Sequence, residues 1–163
     1  MKRALPLALA LCAFAGAASA ADVARTYGAP TAPIAATVTV PAGYDTIYLS
    51  GMTPTPMNPG SAAAAQYGDT EQQTESALTR IGAALKAQGL GFGDVVMMHV
   101  YLVGDPMKGG VMDFSGMMAA YTRHFGTPDQ PNRPSRSTVQ VSALAGAGIL
   151  VEIEVIAARK PAP

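Results

Sequence analysis

The residues with the clearest capacity for chemistry are one arginine and two glutamates in the last third of the chain. Arg136 follows a proline-rich turn and opens an alternating stretch, 134–141, that predicts a short strand. A planar guanidinium at the start of a strand can hold a carboxylate through two parallel hydrogen bonds. Glu152 and Glu154 stand two positions apart in an apolar run, so in a strand they share one face. A carboxylate there could hold a proton or a water molecule, and the combination predicts a site for a small acid.

Each feature also has a structural interpretation when it is taken alone. An arginine after prolines is commonly a solvated loop residue or a partner in a surface ion pair. Glutamates that alternate with Val and Ile are the normal outward face of an antiparallel strand. Only the combination favours a functional site over these alternatives.

The other reactive groups of the sequence form no recognised catalytic or metal-binding motif. His99 and His124 fall on different predicted elements, and we interpret both as structural residues. Ser50 ends a predicted strand, with no histidine and acid pair placed to activate it. The only cysteine, Cys12, lies in a predicted leader, so the remaining chain offers no thiolate nucleophile or zinc ligand. We therefore predict no metal and no cofactor.

The first residues have the pattern of a secretory signal peptide. Lys2 and Arg3 precede an apolar stretch, and the small residues at 18–20 fit a cleavage site. We expect residues 1–20 to be removed and residues 21–163 to form one domain in the periplasm or outside the cell. Without Lys2 and Arg3, nine basic residues stand against eleven acidic ones, which favours neither nucleic acid nor anionic lipid as a partner. No later apolar run is long enough for a membrane span.

The elements that must position the candidate residues follow the order β-β-α-β-α-β-β. The first two strands should form an antiparallel hairpin around the turn at 41–43, and the third, apolar on both faces apart from His99, should be central. Thr70 and Gln73 fit a capping box at the start of the first helix, and Asp113 fits an N-cap of the second. The predicted strands are 36–40, 45–50, 94–103, 134–141 and 149–157, and the predicted helices end at Gly89 and Gly126.

This order predicts an α+β fold, with a mixed sheet and two helices on one of its faces. The chain has no further element to cover the other face. A homo-oligomer that buries this face is the natural solution.

Several of these segments resemble the reactive intermediate deaminase family (RidA, also called YjgF/YER057c/UK114). The resemblance covers nearly all of residues 21–163, and its most specific parts are the arginine strand and the glutamate strand. It implies a chorismate-mutase-like fold in a homotrimer with a central barrel and clefts between subunits. It also implies hydrolysis of 2-aminoacrylate and related enamines or imines to 2-keto acids and ammonia, without metal or cofactor. The segments that carry it are 49–51, 73–85, 89–90, 94–96, 100–102, 125–126, 134–141 and 151–157.

The resemblance also implies roles for single residues. Arg136 would grip the substrate carboxylate, and Glu152 would orient or activate water. Ser50 would line the cleft, and the backbone around Thr138 would lie beside the imine carbon. The chain differs from the family's deaminases at three positions, where Ile34, Met52 and Met118 replace a tyrosine, a glutamine and an asparagine. These differences make the predicted pocket more apolar and leave the carboxylate clasp in place.

We therefore expect hydrolysis of enamine or imine intermediates of small carboxylic acids. The alternative is a non-catalytic protein that binds small carboxylates on the same fold, which the lost tyrosine and Met118 favour. A purely structural trimer would leave Arg136 without a function.

Overall fold

A computed structural model describes residues 21–60 and 66–160, so the predicted leader at 1–20 lies outside the described residues. None of the described helices is both long enough and apolar enough to cross a membrane. The strands are β1 (Ala24–Thr26), β2 (Thr37–Thr39), β3 (Asp45–Met52), β4 (Val95–Val103), β5 (Ser135–Val141) and β6 (Val151–Arg159), and the helices are α1 (Thr70–Ala87) and α2 (Phe114–Tyr121).

The main sheet has four strands in the order β3-β6-β4-β5. β6 pairs with β3 and β4 in antiparallel fashion, whereas β4 and β5 are parallel. Because α2 connects β4 to β5, this parallel pair has the helical crossover that parallel strands need. The prediction that β4 is central is confirmed. The register shifts within β3, because Leu49 pairs with Val155 and Met52 pairs with Ile153. β3 therefore has one extra residue in this interval, which makes it a β-bulge.

The predicted hairpin between the first two strands is wrong. β2 pairs with β1 to form a separate two-stranded ribbon, and β3 pairs with β6 instead. The physical reason is the amount of apolar surface that each strand can bury. β2 is three residues long with only Val38 partly buried, whereas β3 packs Ile47 and Leu49 against the core when it lies beside β6.

The start of α1 lies one residue before the predicted capping box. Asp69 accepts a hydrogen bond from the Gln72 backbone, and the Gln72 side chain accepts one from the Asp69 backbone. An aspartate is a good N-cap, which explains why the box forms here. Gln73 is buried instead, and its side chain donates to Gly148 and accepts from the backbone of Leu150. It therefore ties α1 to the loop before β6.

The predicted helix boundaries are otherwise largely confirmed. Gly89, just beyond α1, has a φ of +73°, the left-handed conformation that ends many helices. Asp113 caps α2 by accepting a hydrogen bond from the Gly116 backbone. α2 ends at Tyr121, earlier than predicted, although Phe125 in the following turn is still buried.

Both helices lie on one face of the main sheet, as the α+β prediction requires. The core between the helices and the sheet contains alternate residues of the two central strands, and we call this side of the sheet the helix face. The strand residues in this core are Met98, Val100 and Leu102 from β4 and Val151, Ile153, Val155 and Ala157 from β6. The intervening residues form what we call the open face, which no described element covers. Two large apolar side chains are exposed there, Tyr48 at 75% and Val139 at 46%.

Candidate functional site

Arg136 lies near the start of the edge strand β5, on the helix face. It is in register with Met98, which is fully buried beneath the helices. The guanidinium meets four side chains of α2 at positions i, i+3, i+4 and i+7, the spacing of one helix face. Nη1 lies 3.9 Å from Sδ of Met117 and Nη2 lies 3.2 Å from Sδ of Met118. The Cζ atom lies 4.3 Å from the ring centre of Tyr121 and 5.8 Å from that of Phe114.

No carboxylate pairs with Arg136 among the residues that the structure describes. Burial lowers the pKa of the Arg136 guanidinium, and the nearby Tyr121 acts in the other direction without cancelling this effect. An arginine keeps its charge in such a site. A thioether is a weak acceptor, so this half-buried cation has no strong partner within the described part of the chain. It can therefore bind an anion with little competition from its own chain.

Thr138 lies two residues further along β5 and faces the same side of the sheet. Its hydroxyl oxygen is buried and has no hydrogen-bond partner within the described part of the chain. An unsatisfied buried hydroxyl costs free energy that a ligand oxygen or nitrogen can recover. Arg136 and Thr138 thus place a cation, and a hydroxyl without a partner among the described residues, at neighbouring positions on the helix face of β5. We call these two residues, with the α2 side chains over them, the arginine half-site.

Tyr121 connects this half-site to the segment that precedes β2. Its hydroxyl donates to the Pro33 carbonyl at 2.9 Å, and the Ala35 backbone donates to the Pro134 carbonyl at 2.9 Å. Ile34 is therefore held close to the start of β5. Burial raises the pKa of Tyr121 to about 12, so its hydroxyl stays neutral at physiological pH and serves as a structural donor rather than a base.

Glu152 lies on the open face, because it is in register with Tyr101 of β4. Its carboxylate rests against Gly51 in the bulge of β3, where a Cβ atom would overlap the carboxylate oxygen. Gly51 is thus needed for close approach rather than for an unusual backbone angle. Ser50 is exposed on the same face and borders a concavity shared with His99 and Glu154. We call Ser50, Gly51 and Glu152 the glutamate half-site.

The structure brings the predicted site residues together in two groups, not one. Arg136 and Thr138 lie on the helix face, and Ser50 and Glu152 lie on the open face of the same sheet. Within one chain the sheet itself separates the guanidinium from the Glu152 carboxylate. In one chain, Arg136 can bind an anion and Glu152 can hold a water molecule or a proton. The two residues of one chain cannot act together on the same small molecule.

The predicted shared face of Glu152 and Glu154 is confirmed, and Glu154 has two partners there. One of its oxygens accepts from the Tyr101 hydroxyl at 2.8 Å and contacts Nδ1 of His99 at 2.9 Å. The hydrogen bond to Glu154 raises the pKa of the Tyr101 hydroxyl. His124 likewise contacts Glu75 at 2.8 Å. Both histidines are therefore satisfied structural residues, as predicted, and the described residues contain no cluster of three potential metal ligands.

Sequence reasoning missed the α2 side chains as partners of Arg136. The spacing of Phe114, Met117, Met118 and Tyr121 was visible, but it predicts only a buried stripe. Nothing in that spacing indicates that the stripe covers a cation.

The architecture and Arg136, which has no acidic partner among the described residues, define a small α+β protein with a half-buried cation at the edge of its sheet. Residues 23–159 match the family model described as Endoribonuclease L-PSP. The chain belongs to this family, which is the YjgF/RidA family predicted from the sequence motifs.

Individual relatives agree with the family match. The chain is 38% identical over 116 residues to a 2-iminobutanoate/2-iminopropanoate deaminase of Capra hircus, which covers 71% of this chain and 74% of that protein. The Escherichia coli protein TdcF, solved with bound serine, superposes with a TM-score of 0.55 and 30% identity over 74% of this chain and 84% of that one. A Mycobacterium tuberculosis member of the YjgF/YER057c/UK114 family gives a TM-score of 0.52 and 29% identity over 76% and 84%.

Proposed function

We propose that this protein hydrolyses imines or enamines of small carboxylic acids to 2-oxo acids and ammonia. The observation that carries the proposal is the half-buried Arg136 guanidinium, which lacks an acidic partner among the described residues and lies beside the unsatisfied hydroxyl of Thr138. Such a pair fits the carboxylate of a small acid. The printed names of several relatives, 2-iminobutanoate/2-iminopropanoate deaminase, supply the reaction class.

The proposed mechanism needs two residues and water. Arg136 holds the substrate carboxylate, and Glu152 accepts a proton from a water molecule whose oxygen bonds to the imine carbon. The π electrons of the C=N bond move to nitrogen, which takes up a proton from solvent to give a carbinolamine. Glu152 then passes the proton it holds to the amine, the C–N bond breaks and ammonia leaves, and the carbinolamine hydroxyl releases its proton to solvent as the carbonyl forms. Orientation of the water and the substrate supplies most of the acceleration.

This mechanism requires a second copy of the chain. Arg136 and Glu152 face opposite sides of one sheet, so we propose that the arginine half-site of one chain meets the glutamate half-site of another. The uncovered open face, with Tyr48 and Val139 exposed, supports an oligomer. The family resemblance implies a homotrimer with a central barrel. Native mass spectrometry and light scattering at micromolar concentration should therefore give the mass of three chains, and a stable monomer would contradict the shared site.

A non-catalytic protein that binds small carboxylates is the second candidate. The neighbours of Arg136 in its own chain favour it, because thioethers and a phenyl ring cannot transfer protons and the Tyr121 hydroxyl has a pKa of about 12. This candidate requires Arg136 but gives Glu152 no part in chemistry.

The family description also contains the word endoribonuclease, which suggests RNA cleavage. An RNA-binding surface needs an excess of cations to hold the phosphate backbone. This chain has 11 basic and 11 acidic residues, and its two histidines contact Glu154 and Glu75. These features favour a small acid over RNA.

The deciding experiment measures turnover and binding on the same preparation. An amino acid oxidase with catalase generates the imino acids in situ in the assay mixture. The rate of imino acid hydrolysis is then measured with and without the protein. Calorimetry measures binding of the corresponding 2-oxo acid. Accelerated hydrolysis supports the deaminase, and binding without acceleration supports the second candidate. A protein that neither accelerates hydrolysis nor binds the 2-oxo acid would contradict both functions.

A further inference from the structure

The four α2 side chains over Arg136 differ in how far solvent reaches them. Met117 and Tyr121 are fully buried and belong to the core. Phe114 is 44% exposed and Met118 is half-buried, so these two form the outer border of the guanidinium. Of the pair, Met118 makes the closer contact, with its sulfur 3.2 Å from Nη2. A molecule that approaches Arg136 along α2 meets this thioether and this ring first.

The chemistry of this border has a consequence for the ligand. A carboxylate is a stronger acceptor than a thioether, so it can displace Met118 from the guanidinium. Methionine is unbranched and has three rotatable bonds, which lets the displaced side chain settle against another apolar group. Neither Met118 nor Phe114 offers a strong donor or acceptor to the rest of the ligand. The border therefore stabilises an acid whose own side chain is apolar. A polar side chain on the bound acid would find no hydrogen-bond partner there.

We propose that Met118, with Phe114 beside it, makes the arginine half-site selective for acids with an apolar side chain longer than a methyl group. This inference rests on the proposed function, since it names the substrate class of the same site. Each methylene that moves from water into an apolar contact is worth roughly a fourfold change in affinity. For three added methylenes, only partly buried, we expect a preference of roughly tenfold or more.

The test compares acids of different length on wild type and matched variants. Calorimetry gives the affinity for pyruvate and for 2-oxohexanoate, and hydrolysis rates are measured for the imino acids from alanine and norleucine. Met118→Asn introduces a polar amide, and Met118→Leu keeps an apolar side chain of similar volume. Met107→Asn makes the same polar change at an exposed methionine away from Arg136. Thermal unfolding of each variant verifies that it is folded.

We expect wild type, Met118→Leu and Met107→Asn to prefer the longer acid by roughly tenfold, and Met118→Asn to lose most of that preference. Equal affinity of wild type for the two acids would overturn the inference, as would an unchanged preference in Met118→Asn. The two proposals fail separately. A binding preference without imino acid hydrolysis would contradict the deaminase and leave the selectivity intact, and hydrolysis without preference would do the reverse.

Discussion

Arg136 and Glu152 project from opposite faces of the same four-stranded sheet. Arg136 is in register with the buried Met98, whereas Glu152 is in register with Tyr101, three residues further along β4 and on its other side. Since side chains alternate along a strand, no rotation of either side chain brings the two together. Cooperation between them therefore needs two chains, and this requirement can be tested directly.

Two inactive variants should restore activity when they assemble together. Arg136→Ala keeps an intact Glu152, and Glu152→Gln keeps an intact Arg136. In a mixed trimer, one of the three shared sites would receive both intact residues, so we expect about one third of the wild-type turnover per trimer. The variants are co-expressed with different affinity tags, and mixed assemblies are isolated through both tags.

Each variant alone, purified in the same way, serves as the control and should be nearly inactive. If the mixed assemblies are as inactive as the single variants, the two residues do not act in one site formed by two chains.

Replacing Arg136 with lysine should weaken carboxylate binding while the charge is retained. Lysine loses the planar pair of donors, and we expect an affinity for a 2-oxo acid lower by about tenfold or more. Arg136→Ala should be weaker still, and it should also lower stability because the arginine packs against Met118 and the ring of Tyr121. Arg159→Lys, which alters an exposed ion pair with Asp45, is the matched control. Equal affinity in Arg136→Lys and wild type would refute the carboxylate clasp.

A methyl group at Gly51 should disable Glu152 without touching Arg136. The added Cβ would overlap the Glu152 carboxylate and force it away from the bulge. We expect Gly51→Ala to lose turnover by about tenfold or more while its affinity for a 2-oxo acid stays within about twofold, as for Glu152→Gln. Gly91→Ala, where a Cβ meets nothing within 4 Å, controls for the substitution itself. Undiminished turnover in Gly51→Ala would argue against a catalytic part for Glu152.

Removing the N-cap of α2 should lower both stability and ligand affinity. Asp113→Ala loses the bond to the Gly116 backbone, which costs about 1 kcal/mol in the free energy of unfolding. Because α2 carries the side chains over Arg136, ligand affinity should fall as well. Asp69→Ala removes the corresponding cap of α1 and should lower stability only. If both variants bind the ligand equally well, α2 does not organise the arginine half-site.

The stability deficit of Asp113→Ala should depend on pH. Hydrogen bonds from the Gly116 backbone and then the Ser115 hydroxyl hold the pKa of the Asp113 carboxyl below its ordinary value of 3.8. A carboxyl whose pKa is lower in the folded state stabilises the fold above its unfolded pKa. This stabilisation is lost as the pH falls through the folded value. Urea unfolding should therefore give a constant difference from wild type between pH 5 and 7, and a smaller difference below about pH 3.8.

We also propose that the chain is exported and cleaved, on the basis of the pattern in residues 1–20. Intact mass measurement on protein recovered from its native host should give a chain that begins at Ala21. Ala18→Arg, which places a bulky charge in the cleavage triplet, should block processing. A wild-type protein recovered with residues 1–20 attached would contradict export.

Much of the fold was predictable because the strongest patterns are local. β4 and β6 are long apolar strands, and α1 keeps one buried stripe from Thr74 to Leu85, so periodicity identifies all three. The hairpin prediction failed because a turn between two strands does not say which other strand competes for pairing. β6 lies far along the chain and offers β3 a longer apolar partner.

The candidate site was predictable by residue but not by geometry. Alternation within β5 and β6 shows which neighbours share a face with Arg136 or Glu152. It does not give the phase of one strand relative to another, which depends on register against β4. For the same reason the sequence could not reveal that the α2 stripe covers the guanidinium.

The bulge in β3 limits how chains of this kind can change in length. Leu49 and Met52 both pair with core residues of β6 although an odd number of steps separates them, because the bulge absorbs one extra residue. Deleting that residue would restore regular pairing and remove the recess that Gly51 gives Glu152. Adding another would turn the neighbouring side chains to the wrong face. Insertions and deletions in related chains should therefore be absent from 49–52.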